Sequence, residues 1–260
     1  MKRSTAREMM DSPDNPRELL EDDLRNLRII NRYLGNYRAV LGALKRLIEE
    51  QKLRSFSLLD VGTGSGDIPA LIASWARRKR VAAEIIGLDP EPVTLRAAVN
   101  QTRDYHEIAL VRGDGRALPF ASDSVDFVLS SQMLHHFSEE NIIDLLRSWS
   151  HVARRAIIVC DLVRHPLAYH GIRLVTKAFT RNIMTRTDAP LSVQRAFTLE
   201  EWRELFERAG IGPFRLFRIF PFRQMTLFSV VKRDFPSRQC GHSDILRVAS
   251  VTPGSDRGNS

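Results

Sequence analysis

The sequence predicts an α/β fold in which a doubly wound, parallel sheet carries helices on both faces. Short apolar runs alternate with helical patterns over residues 56–161, the first run ends in a Gly-x-Gly-x-Gly turn at Gly62, and acidic residues follow successive runs. Strands that are buried on both faces and joined by helices form parallel sheets, whose ligands lie beyond the carboxyl ends of the strands. We therefore expect the functional residues to follow the strands.

Composition limits the protein to a few broad classes. A chain of 260 residues with 43% hydrophobic content can bury one sizeable core, so one main domain is expected. Cys160 and Cys240 are too few for a disulfide framework or a zinc site. No apolar run approaches the ~20 residues that cross a bilayer, and the N-terminus has no hydrophobic signal region. These features predict a soluble, cytoplasmic protein.

The formal net charge of +8 is compatible with nucleic acid, anionic lipid or an acidic substrate as partner. The basic residues form short local groups, such as 77–80 and 154–155, instead of one stripe interleaved with aromatic residues. Most of them are therefore expected to be solvated surface residues, which makes nucleic acid a disfavoured partner.

The two ends of the chain are predicted to be a flexible leader and a flexible tail. Residues 1–16 contain Asp and Pro with almost no apolar periodicity, and residues 236–260 are similar. Residues 17–53 predict an N-terminal helical cap, because two apolar stripes with helical spacing are separated by Gly35-Asn36.

The main domain is expected to occupy residues 54–235. Its apolar runs and helical patterns predict strands at 56–61, 83–88, 108–112, 125–130 and 156–161, with helices at 66–78, 91–103 and 138–154 between them.

The alternation breaks after the fifth predicted strand. Over residues 163–196, Ile172, Val175, Phe179 and Ile183 predict one amphipathic helix within an insertion or lid. A capping box then begins a helix at residues 199–209. Two further strands, at 214–220 and 226–232, are expected to form a terminal hairpin.

The turn at Gly62 is typical of a loop that approaches a nucleotide-like cofactor. A dinucleotide-binding fingerprint requires Gly or Ala at its third position, which Asp67 occupies in this chain. The charge of Asp67 would face the pyrophosphate, so NAD and FAD are disfavoured as cofactors. No lysine lies between Lys52 and Lys79, which excludes a P-loop. A ligand with adenosine, no phosphate and a positive centre would tolerate Asp60 and Asp67, and S-adenosylmethionine fits that description. A glycine-rich turn without a ligand is the alternative.

Two further acids follow the second and third predicted strands. Asp89 is placed to accept hydrogen bonds from both ribose hydroxyls, and Asp114, between two glycines, could accept the amine of an adenine. Each acid alone could be an ordinary turn residue. Three acids at three successive strand ends, beginning with Asp60, together indicate a binding site.

With these motifs, residues 54–233 resemble the class I S-adenosylmethionine-dependent methyltransferases. The resemblance implies a Rossmann-like, mostly parallel sheet of seven strands, the last antiparallel. It also implies that the segment from Asp60 to Gly66 borders the methionine moiety, that Asp89 holds the ribose and that Asp114 meets the adenine. The cofactor-binding residues predicted on this basis are Asp60, Gly62, Thr63, Gly64, Gly66, Asp89, Pro90, Asp114, Gly115 and Ser131.

The segment after the fourth strand, residues 131–137, resembles small-molecule enzymes related to the quinone-pathway methyltransferases, and the cap helices resemble enzymes of bacterial polyketide and phenolic-lipid pathways. His135 or His136 is the candidate general base for a phenolic acceptor, and structural packing is the alternative for each. Asp161 is expected to cap the exit of its strand rather than to line the acceptor pocket. The seven histidines show no spacing typical of paired metal ligands, so no catalytic metal is predicted.

Two smaller features complete the predictions for the site. Tyr33 and Tyr37 are expected to pack in the core rather than to cover the cofactor. Residues 165–186 are interpreted as a helix that covers one sheet edge, and the alternative is a substrate lid that also touches anionic lipid.

The sequence thus predicts methyl transfer to oxygen or carbon of a small aromatic or polyketide-like acceptor. An RNA methyltransferase, suggested by the +8 charge, and a cofactor-binding module without turnover are the alternatives.

Overall fold

The fold is known from a computed structural model, which describes residues 1–12 and 14–229. Seven strands form one sheet in the order β3-β2-β1-β4-β5-β7-β6, and β7 is antiparallel to both of its neighbours. The strands are β1 Ser55–Val61, β2 Ala82–Asp89, β3 Ile108–Arg112, β4 Val125–Ser131, β5 Ala153–Leu162, β6 Phe214–Ile219 and β7 Arg223–Ser229. The helices are α1 Arg17–Tyr33, α2 Asn36–Glu50, α3 Asp67–Lys79, α4 Pro92–Thr102, α5 Glu139–Val152, α6 Pro166–Phe179, α7 Ile183–Arg195 and α8 Leu199–Ala209. The predicted fold class is confirmed.

Helices cover both faces of the sheet because its central strands are apolar on both sides. Six consecutive residues of β1, 56–61, are buried. On one face α5 and α8 bury Trp149 and Trp202, and on the other face α2 and α3 bury Leu44 and Trp75. Two separate apolar layers therefore hold the sheet rigid between them.

The strand order reverses between β1 and β4. From β1 the chain proceeds outward to β2 and β3, and then returns to place β4 on the other side of β1. A doubly wound sheet has its ligand crevice at such a switch point, beyond the carboxyl ends of the strands. The turn at Gly62 and the segment after Ser131 meet at this position.

The inserted region contains two helices where the sequence analysis predicted one. α6 ends at Phe179 and α7 begins after Asn182, whose side chain accepts a hydrogen bond from the backbone N–H of Thr185. The second helix has no apolar stripe, because polar residues such as Asp188 and Arg195 are buried along it. A search for apolar periodicity therefore does not find α7.

The leader, predicted to be flexible over residues 1–16, packs against α7 in the structure. The backbone N–H groups of Met9 and Met10 donate to the two carboxylate oxygens of Asp188, each at 2.9 Å, and Glu8 is buried. Polar contacts to a distant helix hold this segment, which explains why its sequence shows no periodic signal.

The predicted tail, 236–260, and the end of the predicted last strand, 230–232, lie outside the described residues, as does Cys240. Within the described part of the chain, no helix is both long and apolar enough to cross a membrane.

The predicted capping box at the start of α8 is present. Thr198 Oγ1 accepts from the N–H of Glu201, and the N–H of Thr198 donates to Glu201 Oε2 at 2.7 Å. We expect Thr198→Ala to lower the free energy of unfolding by about 1 kcal/mol, because the N–H of Glu201 loses its acceptor. Urea denaturation monitored by circular dichroism measures this change. Thr198→Ser keeps the hydroxyl and should unfold like the unaltered protein, so equal losses in both variants would contradict a role for the cap.

Candidate active site

A cavity of about 380 Å³ lies at the carboxyl ends of the central strands, between the sheet and the cap. α1 contributes Leu20, Asp23 and Leu24 to its wall, and α7 contributes Asp188 and Ser192. Of the residues predicted from sequence, the cavity is lined by Asp60, Gly62, Thr63, Gly64, Asp89, Pro90, Asp114, Gly115, Ser131, His135 and His136. Gly66 is the exception, since it stands at the start of α3 with a left-handed backbone and lies outside the lining.

The loop after β1 needs glycine for its conformation and for its packing. Gly62 and Gly64 have φ angles of +74° and +56°, which side chains disfavour. A Cβ on Gly62 would lie 2.6 Å from the sulfur of Met133, whereas nothing lies within 4 Å of a Cβ on Gly64. The N–H of Gly64 donates to Asp89 Oδ2 at 2.9 Å, so the loop is attached to the end of β2.

Asp89 retains the capacity to bind hydroxyl groups. Its other oxygen accepts from the N–H of Glu91 at 3.0 Å, and each carboxylate oxygen can accept more than one hydrogen bond. Burial raises the pKa of Asp89 to about 6, because the charged form loses solvation. Asp89 therefore offers two acceptor oxygens at the edge of the cavity.

Asp60 adds a second buried carboxyl group beside the loop. It is 2% exposed and accepts a hydrogen bond from Thr63 Oγ1 at 2.8 Å. Burial, assisted by the nearby charges of Asp67 and Asp89, raises the pKa of Asp60 to about 7. This concentration of negative charge suits a cationic ligand and opposes a phosphate. The residues present thus fit a sulfonium-bearing adenosine ligand better than a phosphorylated one.

Asp114 differs from the other two acids because it is partly exposed. Arg116 forms a close ion pair with it at 2.6 Å, which holds the pKa of Asp114 below its usual value. The neighbouring Gly115 accepts a hydrogen bond from Trp149 Nε1 at 3.1 Å, and a Cβ there would lie 2.6 Å from Val61 Cγ1. The backbone beside Asp114 is therefore fixed in place.

Hydrogen bonds connect the helical cap to the carboxyl end of β4 and to the start of α3. Asn36 Nδ2 donates to Ser131 Oγ at 3.0 Å, and the hydroxyl of Tyr37 donates to Asp67 Oδ2 at 2.7 Å. Tyr37 packs partly against the core, as predicted, but Tyr33 is exposed, so its predicted core packing is wrong. These two hydrogen bonds place α2 next to the cofactor loop.

His135 forms a buried pair with Asp161. The histidine is 2% exposed, and its Nδ1 lies 2.7 Å from Asp161 Oδ1. Burial alone would raise the pKa of Asp161, but the charge and hydrogen bond of His135 hold it below its usual value. Asp161 also accepts from the N–H of Leu162, so it caps the strand exit as predicted and in addition orients His135.

The leader brings further acids to the two histidines. Glu8 lies 3.7 Å from His135 Nε2 and 3.8 Å from His136 Nε2, and Asp11 lies 3.4 Å from His136 Nδ1. Burial raises the pKa of Glu8 to about 7. These two residues could not be predicted from the sequence, since nothing in an irregular polar segment indicates its long-range contacts.

Asp23 was not predicted as a site residue, although its position in the sequence indicates burial. It stands on the apolar stripe of α1 between Leu20 and Leu24, where an acid indicates a buried polar group. Thr185 donates a hydrogen bond to its Oδ1, while its buried Oδ2 has no partner among the described residues. Burial raises the pKa of Asp23 to about 6.

Glu8, His135 and His136 together offer three ligand atoms that lie within 4.8 Å of one another, which is the one such group in the described ranges. The pairing of the other ring nitrogen of His135 with a carboxylate also occurs around metal ions. However, the guanidinium of Arg195 lies 3.8 Å from Glu8 and donates to the carbonyl of His136 at 2.8 Å. The fixed positive charge of Arg195 thus already compensates the negative charge of Glu8 and would repel a metal ion. The absence of a catalytic metal stays a prediction.

Part of this chain is similar in sequence to known methyltransferases. Residues 58–156 match the family model described as a methyltransferase domain. An uncharacterized methyltransferase of Mycolicibacterium vanbaalenii is 35% identical over 103 residues, which cover 39% of this chain and 37% of the relative. A demethylmenaquinone methyltransferase of Staphylococcus saprophyticus is 31% identical over 121 residues, which cover 45% of this chain and 48% of the relative. The matches thus span less than half the length of these relatives.

The fold is shared with solved structures at low sequence identity. Human N-acetylserotonin methyltransferase, solved in complex with SAM, superposes with a TM-score of 0.60 and 18% identity, over 84% of this chain and 57% of that one. Identity this low supports the fold alone.

The buried charge of Asp60 is expected to reduce the stability of the ligand-free protein. Its pKa is raised from an ordinary 3.8 to about 7, so the penalty is absent below pH 4, grows between these values and is complete above pH 7. Asp60→Asn removes the charge and still accepts from Thr63, so we expect a higher thermal midpoint at pH 8 and no gain at pH 4. Thermal unfolding at both pH values measures this.

Asp104→Asn removes an equal charge from an exposed position and is the control. An Asp60→Asn variant that is no more stable than this control at pH 8 would contradict the account.

Proposed function

We propose that this chain, which has the fold and the domain of the class I S-adenosylmethionine-dependent methyltransferases, transfers a methyl group to oxygen or carbon of a small aromatic or polyketide-like acceptor. One observation carries the proposal: buried acids at the ends of neighbouring strands surround a glycine loop, with Asp89 hydrogen-bonded to Gly64. The demethylmenaquinone and N-acetylserotonin methyltransferases, which resemble this chain, are both named for small-molecule acceptors.

The proposed assignment of the cofactor follows the strand ends. Asp89 would accept hydrogen bonds from the ribose hydroxyls, Asp114 would face the adenine, and residues 60–64 would border the methionine moiety. When bound, S-adenosylmethionine supplies a methyl group on a positively charged sulfur, which makes that carbon electrophilic. The negative charge of Asp60 favours this ligand over its neutral product.

The acceptor is proposed to occupy the part of the cavity between α1 and the segment 134–136. The wall from α1 is apolar at Leu20, Leu24 and Leu27, while His135 lies on the side of β4 and β5. This combination suits a largely apolar molecule with one ionisable hydroxyl group. Alignment of the acceptor with the methyl group, together with exclusion of water, would supply most of the acceleration.

His135 is proposed to remove the proton of an acceptor hydroxyl. Asp161 holds Nδ1 at 2.7 Å, so Nε2 remains on the side of the leader and of Glu8. A carboxylate in this position orients the ring and stabilises the imidazolium that forms when the proton arrives. His136 is the weaker candidate, because the carboxylate at its Nδ1 is the more exposed Asp11, at the longer distance of 3.4 Å.

Calorimetric titration with S-adenosylmethionine tests the cofactor assignment. We expect Asp89→Ala to weaken binding roughly tenfold or more, because hydrogen bonds to a charged acceptor are lost. In the unaltered protein, affinity should fall as the pH is lowered through about 6, since protonation of Asp89 removes acceptor capacity. Asp104→Ala, at an exposed position, should bind normally. Unchanged binding in Asp89→Ala, or no binding by the unaltered protein, would refute the assignment.

Labelled cofactor and a metabolite extract of the source organism test methyl transfer and reveal the acceptor. We expect His135→Gln to reduce the rate of label incorporation by roughly 10²-fold or more, with cofactor affinity unchanged. Asp161→Asn, a positioning change, should lower the rate and alter its pH profile.

His136→Gln serves as the matched control and should retain most of the rate. Equal losses in the two histidine variants would contradict the assignment of His135. Absence of any labelled product would contradict the proposed activity.

A further inference from the structure

The outer face of α6 is apolar although it is exposed to solvent. Leu167 is 67% exposed and Leu174 70% exposed on this face, and Val175 and Phe179, at the margin of the inner face, are still 42% and 47% exposed. The inner face, with Ile172 and neighbouring residues, is already buried against α1 and α7. A surface helix normally directs polar side chains outward, so this second apolar stripe needs an explanation.

The stripe belongs to a segment of strongly positive charge. Residues 163–187 contain five Arg or Lys and no Asp or Glu. Arg164 is buried and pairs with Glu201. In contrast, no carboxylate of the described residues lies within 4 Å of the exposed cations Arg173, Lys177 and Arg181. These cations flank the apolar stripe and are free to meet an anionic surface.

A neighbouring turn adds to the same surface. Phe220, in the turn between β6 and β7, is 85% exposed. Two residues later, the ring of Phe222 stacks on His165 at the start of α6, with ring centroids 4.9 Å apart. The turn therefore lies next to the N-terminal end of α6. We define the docking face as the exposed residues Leu167, Arg173, Leu174, Val175, Lys177, Phe179, Arg181 and Phe220.

We propose that the docking face binds to the surface of an anionic lipid bilayer. The helix lies in the plane of the interface, the apolar stripe enters the boundary of the acyl chains, and the cations contact lipid phosphates. A second copy of this chain fits less well, because a two-fold interface on this face would bring like charges together without compensating acids.

Such docking would place the cavity beside the membrane. α6 packs against α7, which contributes Asp188, Ala189 and Ser192 to the cavity wall. An acceptor dissolved in the bilayer would then be close to the site. This consequence rests on the proposed function, whereas the binding of the docking face to lipid does not.

Co-sedimentation of the full-length protein with vesicles tests the proposal. Phosphatidylcholine vesicles with and without phosphatidylglycerol separate an anionic surface from a neutral one. We expect binding to the anionic vesicles that weakens as salt is added, because exposed charges are screened. Binding that is equal on neutral vesicles would contradict the role of the cations.

Two pairs of variants locate the binding surface. Leu174→Glu with Phe179→Glu removes the apolar contact, and Arg173→Glu with Lys177→Glu reverses the charge. Each pair should lower partitioning into anionic vesicles roughly tenfold or more. All four side chains are exposed, so thermal midpoints should not change.

Control variants at other exposed positions distinguish binding through the docking face from a general effect of charge on vesicle binding. Val99→Glu alters an exposed apolar residue of α4, and Arg78→Glu with Lys79→Glu reverses two exposed cations at the end of α3. Both controls should bind vesicles normally. Equal losses in controls and docking-face variants would overturn the proposal, as would absence of vesicle binding by the unaltered protein. Light scattering that shows a dimer dissociated by Leu174→Glu with Phe179→Glu would assign the face to self-association instead.

Cofactor titration on the same variants separates this proposal from the proposed function. Docking-face variants should keep unaltered affinity for S-adenosylmethionine, because none of these residues lines the cavity. Loss of vesicle binding with retained cofactor binding supports the docking face.

Discussion

The buried carboxyl groups of Asp60 and Asp89 are the constraint on which the site depends. They lie where the strand order reverses, at the point of the sheet where a ligand crevice must form. Burial raises the pKa of both groups, so their charged forms are costly unless a cation or hydrogen-bond donors accompany them. The glycine loop supplies one donor, the N–H of Gly64, to Asp89. The hydrogen-bonding positions of the two carboxyl groups that have no protein donor face the cavity. A ligand with hydroxyl groups and a positive centre satisfies both requirements.

The opposite wall of the cavity is built by parts of the chain that are distant in sequence. Glu8 of the leader accepts a hydrogen bond from Ser192 of α7, and Arg195 donates to the carbonyls of Ala6 and His136. In this way the leader, α7 and the segment after β4 form one polar network. Its effect is to fix His135 between Asp161 and Glu8.

The sheet and the acids proposed to bind the cofactor could be predicted because short, local sequence patterns indicate them. Each acid directly follows its own strand, and the parallel topology brings the strand ends together without further information. The pairing of His135 with Asp161 depends on β4 lying beside β5, so the two residues could be placed at one edge but their hydrogen bond could not be foreseen. The contacts of Glu8 and Asp188 could not be predicted from the sequence, since they join residues about 180 positions apart and no periodic pattern indicates them.

A crystal structure of the complex with S-adenosylmethionine would show directly whether the buried acids hold the cofactor. We expect the ribose hydroxyls to lie within hydrogen-bonding distance of Asp89, the adenine amine to face Asp114, and the sulfonium to lie beside Asp60 and the loop of Gly62. A ligand bound elsewhere, or a crevice that instead accepts a phosphorylated nucleotide, would contradict it.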